Sequence, residues 1–347
     1  MLATVYHGPN DMRMEERPIP SIDANEALLR VVAAGICGTD LRILHGHHRL
    51  FPPGTERIPG HEIVGDIAEI GAEVEGLSVG QRVMVAPNIG CGRCHLCLSG
   101  SNNLCQQYQA IGITMDGGFA EYMRIPAAMI AQGNVIPVDA GKDAALSTLI
   151  EPLACVLRGQ NAVDVGLGDT VLIMGAGPIG LLHLLLAQLS GASRMIVSEI
   201  RPVRLAQAQE LGADRVTNPE QEDLSELVKE ESDGRGPDVI ITAAPSHAAQ
   251  QSALELAAVG GRINFFGGLP KHRPHIQCDS NAIHYKELCV TGTTACSTSD
   301  CWQAAALVNA GRINLEPLVS HRFPLAEAQQ AYASAQSQTA LKTVLIP

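Results

Sequence analysis

Val171-Leu172-Ile173-Met174-Gly175-Ala176-Gly177-Pro178-Ile179-Gly180 decides how this chain folds. Four apolar residues read as a buried strand, and the glycines after them have the G-x-G-x-x-G spacing of a turn that opens directly into a helix. In that setting Gly175 permits the tight turn, Gly177 lets backbone approach a pyrophosphate, and Gly180 lets the helix pack on the strand. The helix start at Pro178 and Ile179 offers unpaired N–H groups and partial positive charge to the same anion. A bare triple-glycine match also occurs in plain strand-to-helix turns. Glu199 strengthens the reading: nineteen residues beyond Gly180, at the end of the next expected strand, its carboxylate can accept hydrogen bonds from adenosine ribose hydroxyls. That favours NAD over NADP. Arg201 and Arg204 stand close by with the charge to hold a 2′-phosphate; the simpler reading is of solvated arginines at a helix start, and Arg204 is kept as a candidate cofactor-binding residue.

Around this motif, strands and helices alternate from about Gly168. After Val171–Met174 and a long apolar helix come a strand at Met195–Ser198, a helix from Val203, a strand at Asp238–Ile241, a helix near Ala248–Ala258 and a strand at Arg262–Phe266. Such alternation builds a doubly wound α/β domain, a parallel sheet covered on both faces. Up to about residue 150 the pattern is different. Short β-rich runs such as Ala27–Val32 and Glu62–Ile67, broken by Gly and Pro, predict small antiparallel sheets or a barrel. Past residue 290 the pattern predicts helices at Cys301–Asn309 and Leu325–Ala335 and a final strand at Lys342–Ile346. The boundary near 150 rests on the change of periodicity alone.

The 347 residues suggest two domains, and 46% hydrophobic against 17% charged residues is enough apolar side chain to bury two cores. A net charge of -12 gives no field to attract a polyanion, which argues against nucleic acid and anionic membrane as partners. The most apolar stretch, Ile179–Ala187, falls far short of the ~20 residues of a membrane span. Met1-Leu2-Ala3-Thr4-Val5-Tyr6-His7 lacks the basic flank and apolar core of a signal peptide, so a cytoplasmic location is expected.

Ten cysteines in a long chain of this kind raise metal ligation before disulfides. Cys91, Cys94, Cys97 and Cys105 place four soft ligands in one Gly-containing loop, the pattern of a closed tetrahedral structural zinc. An iron–sulfur cluster, disulfide pairing or scattered core thiols are the alternatives. A second set is dispersed: Cys37 in Gly35-Ile36-Cys37-Gly38-Thr39-Asp40, His61 and Glu62 in Gly60-His61-Glu62, and Glu151 in Glu151-Pro152. A lone cysteine and a lone histidine are more often core or surface residues than ligands. Mixed S, N and O donors would suit a catalytic zinc with an open position.

Taken in order, these segments, with Asp116-Gly117-Gly118-Phe119-Ala120-Glu121-Tyr122 between them, resemble the zinc-dependent medium-chain dehydrogenases over essentially the whole chain. Glu151-Pro152 points to their sorbitol (polyol) and threonine dehydrogenase branch. The resemblance implies a GroES-like β-barrel catalytic domain, residues 1–150 and 290–347, and a doubly wound Rossmann NAD-binding domain, residues 151–289. It implies two zinc ions per chain, Cys37 and His61 holding the catalytic one with Glu151 near it and Glu62 as a direct or water-mediated partner. Thr39 matches the hydroxyl that starts the family's proton relay. A homo-oligomer, tetramer or dimer, is implied too. Two positions depart from the branch: Arg42 stands where it usually has a histidine, and the Arg-Tyr pair of sorbitol dehydrogenases is replaced by Gly292-Thr293-Thr294-Ala295-Cys296. The expected activity is hydride transfer between NAD and a secondary alcohol of a polyol or sugar-derived compound. L-Threonine, a polyol phosphate, and a non-catalytic protein of the same fold are the competing readings.

Overall fold

The computed structural model describes residues 1–52, 54–337 and 339–347. The chain divides into one unit of Met1–Ala154 with Ala295–Pro347 and another of Cys155–Thr294. The first division lies inside the continuous helix Ile150–Asn161. No turn residue marks it, which is why periodicity places it only roughly.

In the second unit six parallel strands are ordered Arg215–Thr217, Arg194–Ser198, Thr170–Met174, Val239–Thr242, Arg262–Phe265 and Cys289–Gly292. By chain order that is 3-2-1-4-5-6, the doubly wound arrangement whose switch point lies beside the first strand. Thr170–Met174 is buried at every residue, as a central parallel strand covered on both faces must be. The helix Pro178–Ser190 starts with Pro at its first turn and stops at Gly191, whose φ of 86° is the left-handed cap that releases a chain from a helix.

His183 is fully buried in that helix, edge-on to Phe266 with ring centroids 4.7 Å apart. Burial pushes its pKa down to about 3. An unfolded chain protonates this histidine near 6.5, so the folded state loses stability as pH falls from there toward 3. Urea unfolding at pH 7 and pH 5 checks this: in His183→Leu the stability difference between the two pH values should shrink by about 2 kcal/mol. An unchanged difference would contradict a neutral buried imidazole.

In the first unit a seven-stranded sheet runs Val319–Pro324, Lys342–Ile346, Ala27–Ile36, Glu62–Ile70, Arg82–Val85, Val135–Pro137, with Tyr122–Ile125 also paired to Ala27–Ile36. Its pairs are antiparallel except Val319–Pro324 with Lys342–Ile346, which are parallel and joined across the helix Ala328–Gln336. The C-terminal strand thus lies directly against Ala27–Ile36, pairing Thr343 with Ile36 beside Cys37. Phe119, Leu29, Ile63, Ile67, Ile125 and Met129 fill the core around it. Among the described residues, no helix is long and apolar enough to cross a membrane.

Candidate metal and cofactor sites

Cys91, Cys94, Cys97 and Cys105 bring their sulfurs within 4.8 Å of one another. Cys94 caps the short helix His95–Leu98, and Cys105 ends the turn Asn102–Leu104, so two tight turns fold the loop back on itself. Sγ of Cys94 lies 3.5 Å from Cys97 and 3.8 Å from Cys105. A tetrahedral Zn²⁺ with Zn–S bonds of about 2.3 Å separates its sulfurs by about 3.8 Å, so this donor set fits the metal. The electrostatics agree. Backbone N–H groups of Arg93 and Cys94 draw Cys91 down to about 6, while burial pushes Cys97 up to about 12. Four thiols so close cannot all ionise without a cation among them. His95 is exposed and outside the cluster.

Cys37, His61 and Glu62 form a second group, again with ligand atoms within 4.8 Å. Cys37 leaves the strand Ala27–Ile36 and caps the helix Gly38–Leu44, while His61 and Glu62 lie at the start of the adjacent strand Glu62–Ile70. Asp40, quoted in the sequence motif without a role, organises the group. It is wholly buried, its Oδ2 accepts the Cys37 N–H at 2.8 Å, and its Oδ1 stands 3.5 Å from Nδ1 of His61. A carboxylate behind Nδ1 favours the tautomer that leaves Nε2 to a metal. Burial alone would lower the His61 pKa, yet the charges of Asp40 and Cys37 outweigh it and hold it well above 6.5.

Lys342 is the residue that sequence reasoning missed. Its buried Nζ donates to both oxygens of Glu62 at 2.7 Å and to the Ile36 carbonyl at 3.2 Å. Burial would lower its pKa; Glu62, Cys37 and Glu151 together raise it instead. Gly35 makes room for this pair, since a Cβ there would overlap Oε2 of Glu62. Glu62 is therefore anchored to an ammonium while its carboxylate stays within 4.8 Å of the Cys37 and His61 ligand atoms. Glu151, in the first turn of Ile150–Asn161, is buried and not part of the Cys37 group; its Oε1 faces the Cys296 thiol at 3.7 Å. Thr39 lies in the first turn of Gly38–Leu44, and its Oγ1 accepts from Arg42 at 2.9 Å.

At the glycine string, Gly175 has φ of 112° and a Cβ at residue 180 would overlap the Gly175 carbonyl oxygen. The tightest demand on Gly180 thus comes from the turn, with Ile173 of the strand a second, looser neighbour. Gly177 caps the helix that Pro178 and Ile179 begin. Glu199 follows the strand Arg194–Ser198, and its Oε2 accepts from Ala176 N at 3.0 Å, which ties the carboxylate to the glycine loop. Its Oε1 accepts from Ile200 N and Arg201 N at 2.9 and 3.1 Å. Arg204 departs from the expected solvated arginine. Its side chain is 18% exposed, with a guanidinium nitrogen 4.0 Å from Glu199 and beside Gly177, because the helix Pro202–Glu210 turns it inward toward that carboxylate.

The profile of the alcohol dehydrogenase GroES-like domain matches residues 23–137, and that of the zinc-binding dehydrogenases matches residues 178–310. An L-threonine 3-dehydrogenase of Bacillus licheniformis is 34% identical over 339 residues, 95% of this chain and 94% of its own. A sorbitol dehydrogenase of Halalkalibacterium halodurans is 32% identical over 100% of this chain and 98% of its own. Among solved structures, a zinc-binding dehydrogenase from Sinorhizobium meliloti 1021 bound to NADP superposes with a TM-score of 0.92 at 32% identity, covering 100% of this chain and 99% of that one. The chain belongs to the zinc-dependent medium-chain dehydrogenases, with a GroES-like domain and a Rossmann-type nucleotide-binding domain. It is an alcohol oxidoreductase whose cofactors are zinc and a nicotinamide dinucleotide.

Proposed function

We propose that the protein oxidises a secondary alcohol of a polyol or sugar-derived substrate to the ketone with NAD, at the site formed by Cys37, His61, Glu62, Thr39 and Glu151. The observation that carries this reading is the group of Cys37, His61 and Glu62, backed by Asp40 and Lys342. When bound, zinc supplies Lewis acidity toward the substrate oxygen, and the nicotinamide accepts the hydride. The protein's part is positional. Asp40 orients His61, Lys342 holds Glu62, and Thr39 presents a hydroxyl able to take and pass on the alcohol proton. The buried Glu151 carboxylate, which also faces the Cys296 thiol, suits a substrate with a second hydroxyl beside the reacting one, through a charge-assisted hydrogen bond. The Cys91–Cys105 cluster takes the structural zinc. A homo-oligomer, dimer or tetramer, belongs to the same reading.

A second reading, L-threonine as substrate, is favoured by the 34% identity to a threonine 3-dehydrogenase. A screen of polyols, polyol phosphates, L-threonine and 2-butanol, followed by NADH absorbance, decides between them. Polyols should exceed 2-butanol, because only they bring a second hydroxyl to a charge-assisted hydrogen bond with Glu151. Equal turnover of 2-butanol, or threonine ahead of every polyol and polyol phosphate, would contradict the polyol reading.

NAD is the proposed cofactor because the anchored Glu199 carboxylate presents negative charge where a 2′-phosphate would sit. Glu199→Ala should weaken NAD binding about tenfold, the loss of one charge-assisted hydrogen bond, and narrow the preference over NADP. Equal use of NADP by the unaltered protein would assign the choice to Arg204 instead.

A further inference from the structure

Thr39 does not stand alone on its helix. Arg42, one turn along Gly38–Leu44, donates from Nη2 to Thr39 Oγ1 at 2.9 Å. A hydroxyl has one proton to give and two lone pairs, and Arg42 occupies one of those lone pairs. A guanidinium has donors only and keeps its proton at any physiological pH, so no proton can leave Thr39 through Arg42. Thr39 is left with one lone pair and its O–H, one for the alcohol and one for the next acceptor.

We propose that Arg42 is a positioning residue for proton removal: it fixes the direction of the Thr39 hydroxyl and its permanent charge favours the ionised form of the substrate alcohol. The inference rests on the functional reading above, in which Thr39 receives the alcohol proton. In that step the alcohol O–H bond breaks as a bond to Thr39 Oγ forms, and Thr39's own proton passes to water. The electron pair stays on the alcohol oxygen, and the carbon's hydride reduces NAD⁺, so the sum is ketone, NADH and one proton.

The surrounding charges make Arg42 distinctive. Asp40 on the same helix is committed to the Cys37 N–H and to His61, and Glu62 on the adjacent strand is committed to Lys342 of the C-terminal strand. Of the nearby loop, His48 is half-buried and drawn down to about 4, first by burial and then by Arg42, with His61 and Arg49 adding to the effect. His48 is therefore uncharged at neutral pH. Arg42 is itself exposed, so its replacement removes a charge without opening the core.

The test compares the zinc-loaded wild type with Arg42→Lys and Arg42→Gln in two measurements. One is the pH profile of kcat/KM for alcohol oxidation. The other is calorimetric: the protons released when the poorly reactive 2,2,2-trifluoroethanol binds in the presence of NAD⁺, from pH 6 to pH 9. Arg42→Gln keeps a donor for Thr39 and loses the charge, so its acid limb and its proton-release midpoint should both rise by roughly one pH unit. Low-pH activity then falls about tenfold and recovers at high pH. Arg42→Lys should stay close to wild type. A midpoint unmoved in Arg42→Gln, or moved equally in Arg42→Lys, overturns the proposal while active wild type leaves the functional reading standing. Wild type inert toward every alcohol overturns that reading, and this inference with it.

Discussion

Cys37→Ser should lower alcohol oxidation by about 10³-fold while the chain stays folded and keeps about half of its zinc. The Cys37 thiolate and His61 are the softest donors of the mixed group, and Ser offers a hydroxyl that binds zinc poorly at neutral pH. The fold around residue 37 has supports that Ser keeps: the Asp40 carboxylate bonds its backbone N–H, and Ile36 pairs with Thr343. Activity and metal content therefore separate from stability in this variant. Metal analysis with steady-state kinetics and thermal melting reads all three, and full activity would remove Cys37 from the site.

Cys97→Ser should do the opposite, costing several kcal/mol of stability before it touches chemistry. The Cys91–Cys105 loop has only short turns of its own, the helix His95–Leu98 and the turn Asn102–Leu104, and no residue of that helix is buried. With so little buried, the proposed ligation would hold its fold together with a few buried amides, such as Asn102 donating to the Asn88 carbonyl at 2.8 Å. Removing one of four thiolates opens the tetrahedron and leaves the remaining sulfurs crowded. Chelation of the wild type should lower the melting temperature in the same way. A melting curve unchanged by Cys97→Ser and by chelator would contradict a structural metal there.

How much of this was legible follows from where the information sits along the chain. The Cys₄ loop was readable because its donors lie within fifteen residues, and the glycine string because strand, turn and helix are consecutive. The helix at Val203 and the strand at Lys342–Ile346 were readable from periodicity and appear at Pro202–Glu210 and Lys342–Ile346. The short elements Arg215–Thr217, Leu224–Glu230, Ser280–Tyr285 and Cys289–Gly292 were not, since three to seven mixed residues give no clear period. Cys37, His61 and Glu62 come from two strands, so spacing alone leaves them ambiguous and resemblance was needed. Asp40 had a usable signal, an acid three residues after a helix-capping position. Lys342 had none: a lysine opening an apolar strand looks like an ordinary solvent-facing residue. Only the pairing of that strand with Ala27–Ile36 brings it to Glu62, almost three hundred residues away in sequence.

The proposed function requires that this chain hold two zinc ions, one among four cysteines and one at Cys37 and His61. Anomalous diffraction at the zinc absorption edge, on crystals of the protein purified with zinc, tests it most directly. Two peaks per chain are expected, one enclosed by the sulfurs of Cys91, Cys94, Cys97 and Cys105 and one bonded to Cys37 Sγ and His61 Nε2. A single peak within the four cysteines, with Cys37 and His61 metal-free at full zinc loading, would contradict it.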